Sequence, residues 1–147
     1  MLRLPMDSAQ KPLELILARN LITSLSTPAF LLSEDGGLLF YNEAAGALLG
    51  MSFEESGRMP AKEWLETFGP FDDFGQPIDM EELQLTQALR DGRPAHANFR
   101  IRSTKGDEHS IEASALPIVG SDSESSGAMI IFWPVDEQER RRVAAGT

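Results

Sequence analysis

Residues 31–50 read LLSEDGGLLFYNEAAGALLG. Two short apolar runs, Ala29 to Leu32 and Leu38 to Tyr41, flank Glu34-Asp35-Gly36-Gly37. Asp and Gly adopt positive φ readily, so Asp35-Gly36 predicts a tight hairpin between two strands. Asn42 then precedes Glu43-Ala44-Ala45-Gly46-Ala47-Leu48-Leu49 and is placed to cap that helix. Gly50 takes the position of a left-handed C-cap. The stretch contains no Cys, His or Lys, and its three acids, Glu34, Asp35 and Glu43, stand at a turn and a helix start. It specifies shape and carries no reactive group.

Working outward, residues 1–12 hold Pro5 and Pro12 and no periodicity, which predicts a flexible leader. Leu13, Ile16, Leu17, Leu21 and Leu25 recur at helical spacing, with Glu14, Arg19 and Asn20 read as lying elsewhere on the wheel. That is an amphipathic helix over 13–25, stopped by Pro28. Further on, Pro60 to Phe68 predicts a helix with Trp64, Leu65 and Phe68 on one face. A longer helix is expected from Asp79 to Arg90, with Leu83, Leu85 and Leu89 apolar and acids in its first turn.

After Pro94 the period changes to two. Ala95, Ala97, Phe99 and Ile101 alternate with His96, Asn98, Arg100 and Arg102. A turn at 105–107 leads to His109, Ile111, Ala113 and Ala115 on one face of the next strand, and 128–133 is apolar on both parities. Half-polar 95–102 suits a solvated edge, while the apolar strands 29–32, 38–41 and 128–133 are expected in the middle of the sheet, covered on both sides.

The chain has 147 residues, suited to one domain, and a net charge of −10. Twelve acids against Arg58 and Lys62 place that excess in residues 34–82. Such a surface repels phosphate, so neither nucleic acid nor anionic lipid is an expected partner, and no stretch approaches the ~18 apolar residues of a membrane span. With no cysteine, disulfides, thiolate metal sites and Cys nucleophiles are excluded within this chain. A cytoplasmic setting fits that composition.

These residues resemble a PAS domain, the sensory module of bacterial signalling proteins. Asp35-Gly36, Leu38-Leu39-Phe40, Asn42, Ala45 and Leu49-Gly50 carry the resemblance. It continues through the helix ending Ala88-Leu89-Arg90-Asp91-Gly92-Arg93-Pro94, the Lys105-Gly106 hairpin, Ala115-Leu116-Pro117-Ile118, Gly127 and Val135-Asp136, over residues 26–137. It implies an α+β fold, a five-stranded antiparallel sheet with helices over one face. The N-terminal helix then covers the other face or a dimer interface. Where such domains often end in Asp-Ile-Thr this chain has Asp136-Glu137-Gln138, which puts its mode of coupling to an output helix in doubt. Residues 138–147 are expected to begin such a linker or a tail.

Chemistry is sparse. Adjacent Asp72-Asp73 and Glu81-Glu82 point apart and form no dyad, and no metal site or Gly-rich phosphate loop is present, so no catalytic residue is expected. His96 belongs to a polar strand face. His109 shares parity with Ile111, and points either into the core or a cavity, or ends a strand with a hydrogen bond. The small inward alanines either leave a cavity lined by Leu49, Trp64, Phe68, Leu85, Leu89, Phe99, His109 and Ile111, or let helices pack close to the sheet with no pocket. Haem is not expected, because the helix that carries an axial His in haem-binding members has none here. Flavin–cysteine photochemistry is excluded by the absence of Cys. Leu13, Ile16, Leu17, Leu21, Leu25 and Trp133 are the candidate dimer interface. The expectation is a non-catalytic sensory module that forms a homodimer and relays to an output domain or partner signalling protein. The alternative is a receptor for a small apolar molecule, haem included, with an enclosed cavity.

Overall fold

The computed structural model describes residues 13–79, 86, 90–120 and 125–135. The segments 1–12, 121–124 and 136–147, Asp136 included, lie outside that description. So does most of the helix expected over 79–90, including Leu85 and Leu89; within it Thr86 and Arg90 are helical.

The opening stretch folds as its residues require. β1 (Ala29–Ser33) and β2 (Leu38–Tyr41) form the hairpin, with Gly36 at φ 89° in the turn. A bulge between Leu31 and Leu32 lets Leu39 and Phe40 both face outward while Leu38 and Tyr41 face inward. Asn42 caps α2 (Glu43–Leu49) through a bond from the Ala45 amide, and Gly50 closes it at φ 83°. A short capping-box helix that the sequence reading did not foresee, α3 (Phe53–Ser56), precedes α4 (Ala61–Phe68). The rest of the sheet is β3 (Ala95–Arg102), β4 (Glu108–Val119) and β5 (Ser125–Pro134).

The strand order is β2-β1-β5-β4-β3, with the observed pairings antiparallel. β3 is an edge, as its polarity indicated, and the Phe71 backbone bonds to Arg100 on its free side. β2 is also an edge, contrary to the expected central position. It is apolar on both faces because elements cover both, and Met59 pairs with Leu38 along its free side. β4 runs through Pro117, which lies opposite Ala128.

The sheet carries a core on each face. Inward, Phe30 meets Phe132, Tyr41 and Trp64 at ring-centroid distances of 5.2, 5.6 and 5.8 Å, under the roof of α2 and α4. Trp64 Nε1 also donates to the Gly36 carbonyl at 2.9 Å, pinning the hairpin turn to the roof. Outward, the helix α1 (Leu13–Thr23) lays Leu15, Ala18 and Ile22 on Ala29, Leu31 and Phe40. Gly127 of β5 pairs with Ser33 of β1, and a Cβ there would overlap the Leu32 carbonyl oxygen.

Candidate functional site

α1 has two apolar faces. Leu15, Ala18 and Ile22, at i, i+3 and i+7, are buried on the sheet. Leu13, Ile16, Leu17 and Leu21 point away from it and are 65, 43, 57 and 54 % exposed. Four of the five leucine and isoleucine positions expected at an interface therefore face solvent. Leu25 turns inward, half-buried against the outer core. The sequence reading missed the buried face because Ala18 is small and the outer stripe is the richer one. Asn20, with Ile16 and Arg19, borders a concavity over Leu31, Leu39 and Phe40. Trp133 is half-buried on the same outer face of the sheet as Met129 and Ile131, its ring 6.3 Å from that of His96.

Three contacts fasten α1. Glu14 accepts a hydrogen bond from the Ser126 hydroxyl on β5. The Arg19 guanidinium lies 4.3 Å from the Phe40 ring centroid. Asn42, 2 % exposed, makes the third. Its Nδ2 donates to the carbonyls of Ile22 and Thr27, each at 2.9 Å, and its Oδ1 accepts from the Ala29 and Ala45 amides at 3.1 and 3.0 Å. One amide thus joins the end of α1, the start of β1 and the start of α2.

Between sheet and roof lies a cavity of about 40 Å³. Leu49, Trp64, Phe68, Phe99 and Ile111 line it, and Leu85 and Leu89 lie outside the described residues. His109 does not line it. It sits half-buried in a shallow surface groove with Arg100, Glu108 and Ser110, so strand parity placed it on the right face but at the wrong depth. Phe30, Leu32, Ile101, Ile130 and Phe132 complete the walls. Among the described residues the lining holds no histidine, cysteine or charged side chain, and the volume is far below the ~300–1,000 Å³ of a ligand pocket. A larger concavity of about 650 Å³ is an open groove beside α2 and α3, bordered by Glu43, Glu54, Glu55 and Lys105.

Among the described residues two groups are shifted. Hydrogen bonds from the Ser33 hydroxyl and the Gly37 amide hold the Asp35 carboxyl below its ordinary value. Burial raises the Tyr41 phenol, opposed by Ser56 and reinforced by Glu55 and Glu54. Among the described residues no group of three His, Cys, Asp or Glu could hold a metal ion, and no helix is long and apolar enough to cross a membrane.

The profile of a family described as the PAS fold matches residues 17–135. Among solved structures, the PAS domain of a protein from Colwellia psychrerythraea superposes with a TM-score of 0.61 at 18 % identity, covering 82 % of this chain and 96 % of that one. The PAS domain of BvgS from Bordetella pertussis gives 0.54 at 16 %, covering 90 % and 96 %. That of the fruit-fly ELK potassium channel gives 0.64 at 10 %, covering 82 % and 96 %. No curated relative matches the sequence. At these identities the likeness is one of fold.

Proposed function

This chain belongs to the PAS family, whose members are sensory modules of signalling proteins, and from that premise we propose that it is a non-catalytic signalling module working as a cytoplasmic homodimer. The two copies meet through α1 and the outer face of the sheet around Trp133, and a change in the domain passes to an output domain or partner protein. One observation carries this reading: a helix docked by one apolar face presents a second apolar face to solvent.

The magnitudes support a reversible contact. The exposed parts of Leu13, Ile16, Leu17 and Leu21 amount to about two whole side chains per protomer. Burying such a side chain contributes ~1.5–3 kcal/mol, so two protomers gain ~6–12 kcal/mol. Association costs ~4–15 kcal/mol. α1 alone therefore supports at most a weak dimer, to which the Trp133 surface adds.

Sedimentation velocity from about 1 µM to about 1 mM tests this. Wild type self-associates, while Leu17→Glu and Leu21→Glu stay monomeric with unchanged melting temperature. A wild type that is monomeric throughout, or a dimer indifferent to both substitutions, overturns the reading. No cofactor enters it, and the core cavity is read as close packing. Native mass spectrometry of protein taken from cells checks that point, since a bound mass would favour the small-molecule receptor instead.

A further inference from the structure

Between α1 and the β1–β2 hairpin lies a hollow of about 180 Å³. Leu31, Leu39 and Phe40 of the sheet and Leu15 and Ile16 of the helix give it apolar walls. Its polar side chains are Arg19 and Asn20, both exposed. The Arg19 guanidinium lies over the Phe40 ring, 4.3 Å from its centroid, and 6.0 Å from that of Phe53. Among the described residues no carboxylate pairs with it, and no oxygen accepts a hydrogen bond from it or from the Asn20 amide. The acids of the neighbourhood are held elsewhere. Glu14 accepts from Ser126 on β5, and Glu43, Glu54 and Glu55 border the separate groove beside α2.

We propose that this hollow binds a small organic acid with a compact apolar body, its carboxylate held by Arg19 and Asn20. A guanidinium presents paired N–H donors that match a carboxylate, and the amide beside it supplies two more. Beside an apolar wall that charge pair is screened less than it is in open water. The volume suits a body the size of benzene, which an apolar cavity of ~150 Å³ accommodates. A wholly polar anion leaves the Leu31, Leu39 and Phe40 walls unmatched, and a hydrocarbon leaves the guanidinium without its acceptor. The acid touches α1 and both strands of the hairpin at once, so its binding fastens the helix to the sheet. The site is distinct from the core cavity, whose lining has no charged side chain among the described residues, and it does not depend on self-association.

Benzoate is the probe, titrated into the full chain at ~0.15 M salt, where exposed charges beyond ~8 Å are screened. The backbone amide resonances of Arg19, Asn20, Leu39 and Phe40 shift along a saturating curve, with a dissociation constant of ~1 mM or below. Benzamide keeps the ring without the charge, and acetate keeps the charge without the ring. Each binds at least ~10-fold more weakly than benzoate. Arg19→Gln weakens benzoate at least ~10-fold and leaves benzamide within about two-fold, the amide spectrum showing that the variant is folded. Should that variant fail to fold, the discrimination among the three probes by wild type decides. No saturable shift up to ~10 mM benzoate overturns the proposal. So do shifts centred on Phe99 and Ile111 of the core cavity, or benzamide, acetate or Arg19→Gln falling short of the ~10-fold difference.

Discussion

Replacing Asn42 by Ala removes four good hydrogen bonds from a site that is 2 % exposed. An N-cap substitution of this kind costs ~0.5–2 kcal/mol when the helix cap is all that is lost. Here the Ala29 amide also loses its side-chain partner, and a buried group left unsatisfied costs ~1–3 kcal/mol, whereas the Ile22 carbonyl keeps its bond from the Leu25 amide at 3.1 Å. The Thr27 carbonyl is half-buried, and water replaces part of its bond. These losses share one neighbourhood and do not add fully. The expected total is ~2–4 kcal/mol, a fall in melting temperature on the order of 5–15 °C. Urea unfolding followed by tryptophan fluorescence measures it, with an unchanged m-value as the check on two-state behaviour. Asn42→Ser restores the bond to the Ala45 amide and recovers ~1 kcal/mol. Hydrogen exchange gives a second readout, because the last turn of α1 loses protection along with α2. A loss of ~1 kcal/mol or less for Asn42→Ala, with α1 still protected, would mean that Asn42 is an ordinary cap and the three-way junction carries no energy.

Gly127→Ala drives a Cβ into the Leu32 carbonyl at φ 149°, where backbone must move. The expected loss exceeds ~4 kcal/mol, read as a collapse in soluble yield and in the unfolding transition. The control Gly106→Ala, at φ 91° with nothing within 4 Å of the added atom, costs ~1–2 kcal/mol; equal effects at the two positions refute the close-approach argument. Tyr41 is the sole tyrosine of the chain, so tyrosinate absorbance reports on it alone. Its raised pKa means that the neutral phenol stabilises the fold below pH ~10 and that this contribution is lost as pH rises above it. The native protein should titrate above the unfolded one; titration at or below pH ~10 in the folded state contradicts the burial argument.

How far these features could be read in advance depended on whether their causes were local. Asp35-Gly36, the Asn42 cap and Gly50 were legible because turn and cap chemistry is decided within four residues. The two-sided apolarity of 38–41 correctly implied cover on both faces. It did not imply a central strand, because helices and the Met59 segment cover an edge as well as another strand does. For His109, parity set the face, but depth depends on where the sheet ends, and β4 places it beside Arg100 and Glu108 rather than under the roof. Leu15, Ala18 and Ile22 were hidden by a richer stripe on the opposite side of the same helix.

Asn42 shows most clearly what a local signal leaves out. The sequence announces a residue that caps α2, and the cap uses one lone-pair direction of its Oδ1. Its Nδ2 is free of that duty and reaches back to Ile22 and Thr27, a span of chain that no capping rule covers. α1 therefore cannot leave the sheet without stripping Nδ2 of its Ile22 acceptor, and α2 cannot shift at its start without pulling on the end of α1. The stretch that carries no reactive group holds the joint between the helix offered to a second copy and the roof of the core.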